Sequence, residues 1–324
     1  MPRHKGGLLE SPAFGKIGAA LFYLMLALGL FFAATKMNYS WKWNSVPKYF
    51  AYEKVETIPA DFDGIVKIEG NRLILINSSE GEKKVYELPK GYHPAVKDGE
   101  EVYEGDALAE TKHWAPGPLI NGLIVTLKIS ALGALLAFSI AVLLAFMRIS
   151  KYPVLQYIAT AYITVIRGTP LLVQIFIFYF IIATIFEMPR FYAGAMSLGL
   201  FYGAYIAEVL RGAIQSIDRG QYEAAKSLGM NYVQTMSYIV MPQALKRALP
   251  ALVGEMISLV KDSSLVSVIS ITDLTKVGRE IVANTFSPFE TWLTVAALYF
   301  LITSILSFVG HRVEKRMKLK GGMA

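Results

Sequence analysis

A chain of 324 residues, 54% of them hydrophobic and with a mean hydropathy of +0.43, carries more apolar side chain than a soluble domain ordinarily buries, so a polytopic membrane protein is the expected class. The absence of cysteine excludes a disulfide framework, a thiolate metal site and a thiol nucleophile. The net charge of +7 is uneven: residues 38–117 hold −4 and the remainder +11, with the basic residues at the ends of apolar runs, a pattern of membrane topology and not of nucleic-acid binding.

The first apolar run, Ile17 to Thr35, is long enough to cross a bilayer once and follows Arg3, Lys5 and Lys16. A signal peptide would have an apolar core of only about 7–15 residues and a small-residue cleavage site. Phe31-Phe32-Ala33-Ala34-Thr35-Lys36-Met37 is a poor site, so residues 1–37 read as a cytoplasmic N-terminus and an uncleaved anchor helix.

Residues 38–115 are the only sizeable polar region. Ile65–Ile68, Leu73–Ile76 and Val85–Leu88 read as short strands, with Gly70-Asn71 as a hairpin turn between the first two. The run Lys97-Asp98-Gly99-Glu100-Glu101-Val102-Tyr103-Glu104-Gly105-Asp106-Ala107-Leu108-Ala109 resembles the VKxGDxVxxGDxLA pattern of lipoyl- and biotinyl-type barrel-sandwich modules. The Met-Lys-Met hairpin that accepts a prosthetic group is missing, so covalent biotin or lipoate is not expected, and a small β-rich packing or docking module is the plainer reading.

Five further apolar segments follow: Leu119–Met147, Pro153–Phe186, Tyr192–Ile217, Leu249–Ile271 and Trp292–Gly310. Alternating sides from a cytoplasmic N-terminus puts Arg148/Lys151, Arg219/Lys226/Lys246/Arg247 and the tail Arg312, Lys315, Arg316, Lys318 and Lys320 all inside, and the β-rich region outside. Both termini are then cytoplasmic. Pro153–Phe186 is longer than one crossing needs, and Pro170 inside it interrupts the helix and frees a carbonyl one turn back, beside Arg167, Thr169 and Gln174. A polar, broken helix at membrane depth is tolerated only where it is buried in protein or lines a cavity. On the next segment Tyr205, Glu208, Arg211 and Gln215 share one face, Glu208 and Arg211 are spaced to neutralise each other, and Gly199 and Gly203 form a small-residue packing edge. Glu255, Lys261 and Asp262 add charge to the fifth segment. Thr169, Gln174, Tyr205 and Ser263 can hydrogen-bond an α-amino or carboxylate group.

Between the apolar segments lies Glu223-Ala224-Ala225-Lys226-Ser227-Leu228-Gly229, followed after nine residues by Ile239 and then Pro242. Good helix formers lead to Gly229 as a helix end, and a second short helix is expected to run to Pro242, a helix–turn–helix at the inner face. Small Ala224 and Ala225 would let another surface approach, and Glu223 would offer it a charge. This spacing resembles the coupling loop of the membrane subunit of bacterial ATP-binding-cassette importers, with Met241 where the family usually has leucine. Arg167–Gln174, Ala204–Gly212 and Lys261–Ser267 are similar to blocks of the polar amino-acid branch of those permeases. The resemblance spans about 117–315; residues 1–115 depart from the usual short permease.

The resemblance implies an all-α polytopic membrane protein with six crossings, the family's five-helix core plus the anchor, and a small periplasmic β-rich insert. Residues 116–324 would be the permease domain and 217–245 its coupling loop. It also implies two ATPase subunits that dock on Glu223, Ala224, Ala225, Gly229, Ile239 and Pro242, a periplasmic amino-acid-binding protein, and a second permease copy or paralogue. Substrate would pass Arg167, Thr169, Pro170, Gln174, Tyr205, Glu208, Arg211, Lys261, Asp262 and Ser263. No GxxxxGK[ST] loop, HExxH or histidine cluster exists in the chain, so no catalytic residue, metal or cofactor is assigned to it and ATP would be bound by the partner subunit. Two other readings compete: a non-transport scaffold or sensor worked by 38–115, which the coupling loop argues against, and a membrane enzyme with a lipoyl-like arm, which lacks its acceptor hairpin.

Overall fold

The computed structural model describes residues 12–36, 39–77 and 82–319, in two compact units, Met1–Trp43 and Asn44–Ala324. In the first, the apolar run forms α1 (Pro12–Lys36). At 1.5 Å per residue its 25 residues reach about 37 Å, more than the roughly 30 Å of bilayer hydrocarbon. Arg3, Lys5 and Lys320 lie outside the described residues.

Among the described residues the second unit opens with α2 (Val46–Phe50) and the strands β1 (Ala51–Pro59), β2 (Gly64–Glu69), β3 (Arg72–Asn77), β4 (Lys83–Glu87), β5 (His93–Pro94), β6 (Glu101–Val102) and β7 (Ala107–Pro116). They form two sheets, in the orders β1-β7-β5 and β4-β3-β2-β6. The three expected strands are β2, β3 and β4, and the turn at Gly70 has φ +64, the left-handed backbone glycine tolerates. Val66 on β2 and Leu73 and Leu75 on β3 point inward at every second residue and pack with Leu88, Val102 and Leu108. The Asp-Gly and Gly-Asp pairs of the 97–109 run serve as turn residues: Gly99 and Gly105 take φ +80 and +90, Asp98 accepts from the Ile68 amide at 2.7 Å, and Asp106 from the Tyr103 amide at 2.9 Å.

The longest pairing, β1 against β7 from Ala51↔Pro116 to Ile58↔Ala109, has no counterpart among the expected strands. Most of β1 is exposed, so it lacks the apolar alternation that betrays a half-buried strand. This ladder roots the sheets on the helices. Gly117 donates to the Phe50 carbonyl at 2.7 Å, and a Cβ there would sit 2.3 Å from the Tyr49 carbonyl oxygen, so only glycine fits. Tyr49 itself is buried among Leu119, Leu274, Val277, Ile281, Val295 and Leu298.

The helices are α3 (Pro118–Ile149), α4 (Pro153–Arg167), α5 (Leu171–Ile177, extended by a wide π-type turn Phe178–Ala183), α6 (Arg190–Gln215), α7 (Arg219–Ser227), α8 (Tyr232–Gln234), α9 (Met241–Asp262), α10 (Leu274–Thr285) and α11 (Pro288–Leu319). Among the described residues, α3, α6 and α11 are each long and apolar enough to cross a membrane alone. Pro170 breaks Pro153–Phe186 as its position predicts: α4 and α5 meet there at 107°. Three details differ from expectation. The second helix of the loop does not stop at Pro242. A π-type turn, Thr235–Val240, widens the backbone just before the proline, and the helix runs on as α9. The fifth apolar segment is helical only to Asp262, after which Ser263–Ile269 tightens to a 3₁₀ turn ending at Ser270, φ +63. Finally, α10 was not anticipated because it is amphipathic; buried Asp273 caps it, accepting from the Thr275 and Lys276 amides.

The axis of the bundle is the contact of α3 with α6. A Cβ on Gly199 would stand 2.6 Å from Leu136 Cβ, and one on Gly203 2.8 Å from Ile140 Cγ2, so the two glycines let the helices close to backbone range, as their spacing predicts. Gly199→Leu is expected to force them apart and destabilise the purified protein by about 1–3 kcal/mol, the cost of overpacking. A lowered Tm in detergent checks this; an unchanged Tm would show that the helices do not depend on that approach.

Candidate functional site

The break at Pro170 begins with a missing donor. Proline has no N–H, so the Ile166 carbonyl one turn back loses its helical partner. Gln174, one turn on, replaces it: Nε2 donates to Ile166 O at 2.7 Å and to Thr169 Oγ1 at 2.7 Å. Thr169 Oγ1 in turn donates to Val165 O at 3.0 Å. Thr169 and Gln174, candidates for hydrogen-bonding substrate, thus also close the break. They also line a largely apolar cavity of about 240 Å³ with Val165, Ile166, Ser197 and Leu200.

Arg167 at the end of α4 lays its guanidinium over Tyr205 of α6, 5.0 Å from the ring centroid, and the Tyr205 ring packs against Phe201 at 4.9 Å, tilted by 34°. One turn further, Glu208 is gripped by two arginines. Arg211 meets it at 2.8 Å and 3.0 Å, and Arg148 of α3 at 3.4 Å. Arg211 also donates to Gln215 at 2.5 Å, which confirms the polar face read along α6. Arg148 donates to Thr160 on α4 at 2.5 Å and ties three helices together. From the sequence Arg148 is only a topology marker. It sits 60 residues from Glu208, and no spacing rule links them.

A cavity of about 340 Å³ brings Arg148, Thr160, Thr164, Arg167, Gly168 and Glu208 to one wall, and a second of about 520 Å³ places Arg148 and Arg211 with Gln215, Tyr222 and Tyr232. At the end of α9, Asp262 accepts from the Tyr202 hydroxyl at 2.7 Å, another pairing that the sequence did not announce. Ser263 is fully buried and donates to Val260 O at 2.7 Å, whereas Lys261 is exposed.

The loop between α6 and α9 is a helix–turn–helix. Asp218 caps α7 by accepting from the Gly220 amide at 2.6 Å. Gly229, φ +77, ends α7 in the left-handed conformation, with the Met230 amide reaching back to Ala225 O at 3.1 Å. Asn231 and Gln234 then cap each other's amides at 2.9 Å and start α8. Glu223 and Ala224 are exposed. Ala225 is only 2% exposed and packs inward, so of the two alanines only Ala224 is presented to a partner. Exposed Leu228, Tyr232, Val233 and Tyr238 surround the turn; Ile239 is half-buried and Pro242 exposed. Among the described residues no group of three or more His, Asp or Glu could hold a metal ion.

Residues 120–319 match the family described as "Binding-protein-dependent transport system inner membrane component". The glutamine transport system permease protein GlnP of Escherichia coli strain K12 is 40% identical over 210 residues, which is 64% of this chain and 96% of that protein. The arginine transport system permease protein ArtQ of Bacillus subtilis strain 168 is 35% identical over 62% of this chain and 92% of its own. Among solved structures, a chain from the "Crystal structure of an amino acid ABC transporter with histidines" is 41% identical, superposes with a TM-score of 0.57, and is matched over 61% of this chain and 94% of its own. These matches span less than two thirds of this chain.

Two substitutions test the local accounts. Gln174→Leu leaves the Ile166 carbonyl without its donor and should cost about 1–3 kcal/mol of stability, read as a lower Tm in detergent. Glu208→Ala strands two arginines and should cost about 3–5 kcal/mol, read as loss of monodisperse protein, while Glu208→Gln should lose less. Unaltered stability in Glu208→Ala would show that the arginines are not held by it.

Proposed function

The chain belongs to the family of binding-protein-dependent transport system inner membrane components, and from that premise we propose that it is the permease subunit of an ATP-binding-cassette importer that carries polar amino acids across the inner membrane. The observation that carries this reading is the capped helix–turn–helix between α6 and α9, with Glu223 and Ala224 exposed on its first helix. Residues 217–245 then form the coupling loop on which two separate ATPase subunits dock, through Glu223, Ala224, Gly229, Ile239 and Pro242, with Ala225 as their internal support. The names of the glutamine and arginine permease relatives support the amino-acid class. ATP is bound by the partner, and this chain holds no cofactor. A second permease copy or paralogue completes the pore, a periplasmic binding protein delivers substrate, and both termini lie in the cytoplasm.

Transport proceeds by alternating access: closure of the ATPase pair moves the coupling loops and switches the pore between outward and inward states. The path runs by the Pro170 break and past Arg167, Tyr205, Glu208, Arg211, Lys261 and Asp262, because a zwitterion needs polar groups at membrane depth. Arg167 over Tyr205, and the cavity lining that Arg167 shares with Arg148, are the groups best disposed for a carboxylate. Thr169, Gln174 and Ser263 act on the path through the backbone they hold. The region 38–115 is a periplasmic module of barrel-sandwich kind.

Glu223→Arg is expected to leave the protein inserted and folded but to abolish ATPase docking and amino-acid uptake. Normal uptake by this variant in proteoliposomes would overturn the assignment of the loop. Ala51 and Pro116 are paired across the ladder, so replacing 52–115 by a two-glycine link removes the sheets without stretching their root. Coupled uptake should persist; its complete loss in a normally assembled complex would make the module part of the transport machinery.

A further inference from the structure

We propose that Arg247 is a positioning residue that ties together the two ends of the coupling loop, so that α6 and α9 move as one body when the loop is pushed; this rests on the reading of 217–245 as that loop. Arg247 lies on the second turn of α9, and its Nη1 donates to the backbone carbonyl of Ser216 and to Ser216 Oγ at 3.1 Å. Ser216 is the residue that ends α6. Helix carbonyls at this end lack partners and carry partial negative charge, so a guanidinium there is both a donor and a counter-charge. A second, weaker lacing runs parallel to it: Gln243 of α9 donates to Gln221 of α7 at 3.2 Å and to Ile239 O at 2.9 Å.

The consequence follows from what each helix carries. Only Ser216, Ile217 and Asp218 separate α6 from α7. A push on α7 could be absorbed by bending at those three residues. With Arg247 holding Ser216, the push reaches α6, which bears Tyr205, Glu208 and Arg211, and α9, whose Asp262 is bonded to Tyr202 of α6. The tie is exposed at both partners. Such a contact adds little to folding, and its loss reads out in motion more than in stability.

The test uses the complete transporter, with ATPase subunits and binding protein, in proteoliposomes, and measures amino acid moved per ATP hydrolysed. Arg247→Ala should lower that ratio about three- to tenfold, the rate equivalent of about 0.7–1.4 kcal/mol, the net contribution of one ordinary hydrogen bond at an exposed site, with the KM for ATP unchanged. Arg247→Lys keeps a cation at the helix end and should recover most of the ratio. The chain has no cysteine, so Ser216→Cys with Arg247→Cys can be joined selectively by a bifunctional methanethiosulfonate reagent as long as the arginine. Joining the pair should restore coupling, and the same pair left unjoined should behave like Arg247→Ala. An unchanged ratio in Arg247→Ala, or no recovery on joining, overturns the tie. If Arg247→Ala does not assemble, the joined pair decides. Normal Arg247→Ala coupling together with a dead Glu223→Arg variant would defeat the tie alone, whereas normal uptake by Glu223→Arg would defeat the reading of the loop.

Discussion

One missing backbone donor organises the middle of this protein. Pro170 cannot bond to Ile166 O, and in a helix that is to sit in hydrocarbon an unpaired carbonyl has no water to turn to. The chain answers locally, with the Gln174 amide seated on that carbonyl at 2.7 Å. It also answers globally, by turning through 107° so that α5 leaves in a new direction. The turn leaves Arg167 at the end of α4. Tyr205 takes it over its ring face, and so the polar stripe of α6 is drawn to the break.

That stripe can approach only because α3 and α6 are close. Gly199 and Gly203 remove the side chains that would hold them apart, and the same proximity delivers Arg148 to Glu208. The result is a carboxylate shared by two arginines and a hydroxyl bridge to α4. Such a network specifies the relative register of three helices more than it stabilises them, since the desolvation of each charge offsets much of its attraction. In the transport cycle proposed above, α3, α4 and α6 would shift as units, so that a displacement at the loop is felt at the break.

The β-rich module is tied to this frame at one root. The ladder of β1 with β7 passes directly into α3 through Gly117, and Tyr49 fills a pocket made by α3, α10 and α11. A domain joined through a paired ladder and a buried aromatic has little freedom to swing. Its own core of Val66, Leu73, Leu75, Leu88, Val102 and Leu108 is small but alternates cleanly along the strands, and its tight turns fall on Gly99 and Gly105, where φ is positive.

The sequence alone determined much of what depends on neighbours along the chain. Apolar runs located α1, α3, α6 and α11. Gly70 and Gly229 marked turns that only glycine takes easily, and Pro170 marked the break. The i, i+3 pair Glu208–Arg211 and the Gly199/Gly203 edge were legible because one helical turn brings their members together. What it could not show were contacts whose partners are far apart in sequence. Arg148 with Glu208, Tyr202 with Asp262 and Arg247 with Ser216 span 60, 60 and 31 residues. The strand β1 pairs outward with β7 and carries no alternation to read, and α10 is too polar to stand out among apolar helices. The helix continues through Pro242 by way of the π-type turn Thr235–Val240, which no residue pattern announces. Ala224 and Ala225 are identical in sequence, yet one faces out and the other in. Only the tertiary structure separates them, because burial depends on which surface of α7 the returning helix covers.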